Sequence, residues 1–315
     1  LKFRVLFLKR KQIYYFFLII IVLLFFGFSI LSDSRASYTT FSVGSVNKTY
    51  KADLTGDGKQ DVLYITSNKT KYYLQVNTEK DSLYLEPSKN IASVGNYYAH
   101  WPMRVNLLDI SRDKIPEIFI QSSQSNKPIQ HVFLHRNNGF KDIFCSYNNV
   151  LGFIDCTNNR TPKMISGKIS KSSFSFSNYI LLQDKLEKYN YQAEETFMGK
   201  DTILHFINIV TTLNPENIQP SEEIFDSKTY GNSLSTIKWL ANSGSNFIFQ
   251  DATFLDTKCD KDGKPIQIEW ILNFRANPIK STDDIKNYTL KLNLNAFKNS
   301  KETYYFKISS ISIEK

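Results

Sequence analysis

Apolar positions are distributed along this chain in three distinct ways. From Ile13 to Leu31 the sequence IYYFFLIIIVLLFFGFSIL carries no charge. At 1.5 Å per residue a helix of that length reaches about 28 Å, the depth of a bilayer's hydrocarbon core. Between about residues 45 and 188 apolar residues come in short β-branched and aromatic runs, such as Val62-Leu63-Tyr64-Ile65-Thr66 and Ile118-Phe119-Ile120. Such runs, broken by Asp, Asn and Gly, predict strands joined by turns. After Gly199 the period changes again. Ile203, Phe206, Ile207 and Val210 fall on one helical face.

Asp201 is the expected N-cap of that helix. Asn214-Pro215 is its expected stop, because proline disfavours helical geometry in the residue before it. A short helix is expected near residues 222–225. A second full helix, over 234–243, is expected to be capped by Ser233 and stopped by Gly244. Strands resume at Asn246, and Asp262-Gly263 predicts a hairpin turn before IQIEWILNF. Tyr288, Leu290, Leu292 and Leu294 alternate with Thr289, Lys291, Asn293 and Asn295, the pattern of a half-buried strand. Tyr304, Phe306 and Ile308 begin the last strand. Helices followed by an antiparallel meander indicate an α+β domain, and this element order is similar to a cystatin/NTF2-type cone.

Charge sharpens the reading of the N-terminal span. The chain of 315 residues has 39 Lys+Arg against 30 Asp+Glu, a formal net charge of +9. Lys2, Arg4, Lys9, Arg10 and Lys11 precede the apolar run, and the first acid is Asp33. Basic residues before a span and acid after it predict a cytoplasmic N-terminus and an extracellular remainder. A retained anchor over 12–32 is favoured over secretion by cleavage near Ala36, since the run exceeds the 7–15 apolar residues of a signal peptide. More than half the basic excess sits on the tail, so the rest of the chain gives no reason to expect nucleic acid. Lys exceeds Arg, Asn and Ile are abundant and Ala is scarce, a bias that suggests an AT-rich bacterial genome.

The most informative chemistry is a spaced set of acids. Asp53, Thr55, Asp57 and Asp61 occupy positions one, three, five and nine of DLTGDGKQD, with Gly58 at position six. Calcium wants 6–8 oxygens, and alternate residues of a tight loop can point inward together. Lys59, at position seven, would contribute its backbone carbonyl. Fifty-six residues later Asp109, Ser111, Asp113 and Glu117 repeat the spacing as a weaker second site, with Lys114 in place of the glycine. Loss of that glycine predicts a strained or opened turn. A third copy, Asp155, Thr157 and Asn159, has Lys163 at position nine, and a cation there repels metal. Units about fifty residues apart indicate internal repeats.

On the residues Asp53 to Asp61, and in part Asp109 to Glu117, the chain resembles the VCBS/FG-GAP repeat family. The resemblance covers about residues 45–185. It implies calcium as the bound ion, antiparallel repeat units of the kind that build propeller blades, and a binding or scaffolding role without catalysis. Three units are fewer than the 4–8 blades of a closed propeller.

The remaining chemistry is sparse. Cys145 and Cys156 can pair across a short loop, leaving Cys259 odd; three separate buried thiols are the other reading. His131 and His135 lie in IQHVFLHR, which alternates as a strand, so they are expected to be surface or packing residues. His205 sits beside core positions of its helix. No H-E-x-x-H, G-x-S-x-G or phosphate-binding loop occurs in the sequence. The aromatic residues are expected to pack the core. The expected fold class is a membrane-anchored mixture, with an N-terminal transmembrane helix, a β-rich incomplete or small propeller-like domain, and a C-terminal α+β domain with an antiparallel sheet. Its divisions are a tail at 1–11, the span at 12–32, a linker at 33–44, repeats at 45–188, a linker at 189–198 and the α+β domain at 199–315. The expected function is extracellular binding or scaffolding, with a protein or cell-wall carbohydrate as ligand. An exported hydrolase with a site in the C-terminal domain is the alternative.

Overall fold

The structure, a computed structural model, describes residue 11 and residues 42–43, 48–137, 139–156, 162–170, 173–190, 197–216, 220–280, 284–297 and 303–314. The expected membrane span at 12–32 and the cleavage region at 34–36 lie outside those residues. Among the described residues no helix is long and apolar enough to cross a membrane. Residues Thr40–Lys315 form one compact unit, and it is β-rich with antiparallel sheets.

Three four-stranded meanders follow one another. The first is β2 (Thr49–Ala52), β3 (Asp61–Ser67), β4 (Tyr72–Asn77) and β5 (Ser82–Tyr84). The second is β6 (Arg104–Leu108), β7 (Glu117–Gln124), β8 (Lys127–Arg136) and β9 (Gly139–Ser146), with the two-residue β1 (Ser42–Val43) on its edge. The third is β10 (Val150–Ile154), β11 (Lys163–Ser170), β12 (Ser173–Leu182) and β13 (Lys185–Tyr189). Each acidic loop joins the first two strands of its meander, so the sequence repeat is also a repeat of structure.

The C-terminal part has helices α1 (Lys200–Thr211) and α2 (Tyr230–Ala241), then a meander of long strands. These are β14 (Ser245–Cys259), β15 (Pro265–Pro278), β16 (Lys286–Ala296) and β17 (Phe306–Glu314). A single 3-10 turn, Glu222–Ile224, lies where a short helix was expected. The expected linker at 189–198 does not separate the sheets. Strand β14 pairs in parallel with β10, and the third and fourth meanders merge into one eight-stranded sheet.

Period-two patterning stacks these layers. In β3 and β4, Leu63, Ile65, Leu74 and Val76 face Val105, Leu107, Ile118 and Ile120 of the second sheet. The other face of that sheet presents Phe119, Val132 and Leu134 to Leu151, Phe153 and Met164 of the eight-stranded sheet. Beyond it, Ile203, Phe206, Val210, Ile237 and Leu240 of the helices cover Phe254, Trp270, Leu272 and Leu292. Among the described residues the second sheet is thus covered on both faces, while the first has one face open.

A buried polar seam also ties the second sheet to the eight-stranded one. Arg104 pairs with Asp251, which also accepts from the Trp101 indole. The Gln121 amide donates to the Ala252 carbonyl at 3.0 Å, and the Thr253 hydroxyl donates to Gln121 Oε1 at 2.6 Å. Burial opposes both charges: it lowers the Arg104 pKa and raises that of Asp251, each against the pull of the other.

Three local expectations are corrected. Helix α1 starts at Lys200 after Gly199 in the left-handed region (φ 66°), while the Asp201 carboxylate accepts from the neighbouring Thr202 amide and does not cap the helix. Helix α2 starts at Tyr230, so Ser233 is an interior residue, 1% exposed, and caps nothing. Cys156 is joined to Cys259 across 103 residues, with Cα atoms 5.5 Å apart, and Cys145 is the free thiol. The parallel pairing of β10 with β14 brings Cys156 and Cys259 together, and no local spacing could show it.

Candidate metal centre

The first two loops are built on the same hydrogen-bonded frame. In the first, the Gly58 amide donates to Asp53 Oδ2 at 2.9 Å and the Lys59 amide to Asp57 Oδ1 at 2.9 Å. The Leu54 amide donates to Asp61 Oδ2 at 2.8 Å. In the second, the Lys114 amide donates to Asp109 Oδ2 at 2.9 Å, the Ile115 amide to Asp113 Oδ1 at 2.9 Å, and the Ile110 amide to Glu117 Oε2 at 2.8 Å. Each carboxylate at positions one, five and nine therefore holds the amide at the corresponding place. Leu54 and Ile110, both fully buried, anchor the loops in the two cores.

Gly56 and Gly58 have φ of 81° and 82°, and Arg112 and Lys114 take the same places at 63° and 74°. Of the two outcomes expected without glycine, a strained or an opened turn, the turn is the strained one, with two long side chains held in left-handed geometry. Those conformations cost L-residues about 1–2 kcal/mol each. The loops also touch. A side chain at Gly56 would meet Ile115 Cδ1 of the second loop.

The acids converge differently in the two copies. Among the described residues, the group of three acids whose ligand atoms all lie within 4.8 Å of one another is Asp109, Asp113 and Glu117. Asp53, Asp57 and Asp61 do not form such a group. The Asp53 oxygens take the Gly56 and Gly58 amides, and Asp61 Oδ2 accepts from both the Leu54 amide and the Thr55 hydroxyl. Lys59 turns its ammonium away from the loop to Glu79.

In the second loop Ser111 donates to Asp109 Oδ1 at 3.2 Å, and Arg136 holds Asp113 Oδ2 at 3.1 Å. Glu117 is 1% exposed, and its Oε1 is buried with no hydrogen-bond partner. Burial pushes its carboxyl up to about 7, with Asp109 adding to the rise and the Ile110 amide and Ser111 hydroxyl opposing it. A hard cation fits this donor set, which is all oxygen and includes one buried acceptor without a donor.

The third loop is neutralised by the second. Arg112 places one guanidinium nitrogen 2.7 and 2.8 Å from the two oxygens of Asp155. The amides of Asp155 and Cys156 donate to Asp256, from β14, which thereby fills the role that Asp61 and Glu117 play in their own loops. Thr157 and Asn159 lie outside the described residues. Sequence reading missed Arg112, Arg136 and Asp256. The two arginines break no pattern, and Asp256 is about a hundred positions away from the loop it closes.

The histidines have other settings. His131, fully buried, bonds through Nδ1 to Asp142 at 2.8 Å and through Nε2 to the Ser93 carbonyl at 3.0 Å. His135 lies near the first loop, and burial lowers its pKa against the charges of Asp61 and Asp53. His205 Nδ1 meets the Tyr304 hydroxyl at 2.8 Å.

No family model matches this chain. No curated protein matches it either. Among solved structures, the intermembrane space region of chloroplast protein ARC6 aligns over 39% of this chain and 98% of its own, at 14% identity and a TM-score of 0.27. A likeness at that level bears on neither fold nor function.

Proposed function

We propose that this chain is a calcium-binding repeat protein of the bacterial cell surface, anchored by residues 12–32, that acts as a non-catalytic binding or scaffolding module. One observation carries the metal reading: Asp109, Asp113 and Glu117 converge, and Glu117 Oε1 is buried without a donor. An unsatisfied buried acceptor is costly, and a divalent cation removes that cost by binding the ionised form. Asp109, Ser111, Asp113 and Glu117 would hold the ion, which would brace the turn between β6 and β7 at the edge of both flanking cores. At about 2 mM calcium, a site of about 10⁻⁴ M adds roughly 1.8 kcal/mol of stability. The charge pattern of the N-terminal segment supports the anchor and outward orientation.

The test is a calcium titration of the full chain in detergent, followed by calorimetry and thermal unfolding. Binding heat and a raised Tm are expected, both lost in Glu117→Gln and Asp113→Asn. No heat and no shift with the wild-type chain would sink the metal reading. A shift that persists in both variants would move the site elsewhere.

A further inference from the structure

Among the described residues, the first sheet is covered on one face only. Register places Thr49, Tyr64, Gln75 and Tyr84 in one row across its open face, with Tyr73 beside Thr66 and Asn77 beside Ser82. Tyr64, Tyr73 and Tyr84 are 36%, 47% and 61% exposed. Three large rings standing in solvent on one sheet are an unusual use of aromatic surface, because tyrosine favours sites where one end is apolar and the other wet.

A cleft continues from these rings around the sheet edge. Strand β5 covers β4 at Gln75–Asn77, the Leu85 amide donates to the Leu74 carbonyl at 3.1 Å, and Gly95 covers the strand at Tyr72, whose amide donates to the Gly95 carbonyl at 3.0 Å. Beside these contacts lies a cavity of about 310 Å³, lined by Tyr72, Tyr73, Tyr84, Lys71, Glu86 and Ser93 among others. Its walls are held in place. The Tyr72 hydroxyl accepts from the Met103 amide at 3.2 Å, and its ring meets Tyr97 edge-on. Asn68 donates to the Tyr73 hydroxyl at 3.0 Å. A volume near 300 Å³ is at the small end of ligand sites.

We infer that this tyrosine face and its cleft bind a neutral oligosaccharide. Sugar rings carry C–H faces that stack on aromatic rings and hydroxyls that bond to amides, and here the tyrosines alternate with Gln75 and Asn77. Charge favours a neutral ligand. Lys51 is the one ionised side chain in these rows, and Lys71 and Glu86 balance each other at the cleft. A polyanion would meet too few cations. Val62 is the one aliphatic side chain in the rows, which is little for a self-associating interface, whose core is more apolar than ordinary surface. The inference deepens the binding role proposed above by naming a ligand class, and it uses none of the metal residues.

The test titrates chitohexaose, cellohexaose and maltohexaose into the full chain, held in a detergent without a sugar headgroup, with calcium and again with EDTA. At least one hexasaccharide should bind with a submillimolar Kd. Tyr73→Ala and Tyr84→Ala should each weaken it at least tenfold with Tm unchanged, while Tyr84→Trp retains it. No binding by any of the three, or binding indifferent to both alanines, overturns the inference. So does sedimentation showing that the chain self-associates and that Tyr84→Ala dissociates it. Glu117→Gln should still bind the sugar. Loss of sugar binding with an intact calcium shift therefore defeats this inference alone, and the reverse result defeats only the metal reading.

Discussion

The first and second acidic loops close with the same hydrogen bonds but from different residues, and the contrast separates what a loop needs from what it can trade. Both keep acids at positions one, five and nine, each holding at least one amide of the turn. Glycine is dispensable, since Arg112 and Lys114 occupy the conformations of Gly56 and Gly58. In exchange Arg112 cross-links to Asp155 of the third loop. The ninth position differs by one methylene. Asp61 spends one oxygen on two protein donors, whereas the longer Glu117 holds its amide with Oε2 and leaves Oε1 buried without a donor.

Removing the ninth acid should expose this difference most strongly. Asp61→Ala strands the buried Leu54 amide, at about 1–3 kcal/mol, and frees the part-buried Thr55 hydroxyl to water. Glu117→Ala strands one amide but also removes a desolvated carboxylate, so without calcium it should cost about 1 kcal/mol. Urea unfolding of the full chain measures both. Added calcium should enlarge the penalty of Glu117→Ala and leave that of Asp61→Ala little changed. Equal responses of the two variants would dissolve the distinction.

The distinction between the loops was only half legible in the sequence. Spacing revealed both acidic sets, and period-two runs located the strands that follow them, because alternation reports directly which side chains are buried. It does not report which sheet covers a given face. The parallel pairing of β10 with β14, and with it the Cys156–Cys259 link and the reach of Asp256 to the third loop, depends on chain return over a hundred residues. The preference for the first loop as metal site rested on glycine. Convergence of the acids turns instead on Glu117 being longer than Asp61 and on the hold of Arg136 on Asp113, neither visible as a pattern. The tyrosine face was hidden for a similar reason. Tyr64, Tyr73 and Tyr84 look like core alternation until the sheet is seen to be covered on one side.

Acidity offers a second way to separate the loops. The folded calcium-free chain holds the Glu117 proton up to about pH 7, well above an ordinary carboxylate, so folding favours the protonated form. The stabilising contribution is full below the unfolded value and is lost as pH rises through the folded one. Stability in EDTA should therefore fall between about pH 5 and 7.5, by up to about 1.4 kcal/mol per pH unit from this group. Glu117→Gln should flatten that slope. Calcium needs the ionised carboxylate, so it should oppose the fall in the wild-type chain. A slope identical in wild type and Glu117→Gln would place the titration on another group.

The smallest expected effect comes from exchanging the turn residues themselves. Lys114→Gly removes the left-handed penalty of an L-residue but adds the conformational freedom of glycine to the unfolded chain, so the two terms partly cancel. A gain of about 0.5 kcal/mol is expected. Gly58→Lys in the first loop makes the opposite change, and an added side-chain carbon there meets nothing within 4 Å, so its loss of about 1 kcal/mol reports backbone strain alone. Gly56→Ala should cost more than Gly58→Lys, because its new methyl also meets Ile115. Opposite signs for Lys114→Gly and Gly58→Lys mean that both loops obey one backbone rule and that the second tolerates strain. If Lys114→Gly destabilises instead, the lysine side chain contributes more than its φ costs, and the second loop is held by its side chains and not by the shared frame.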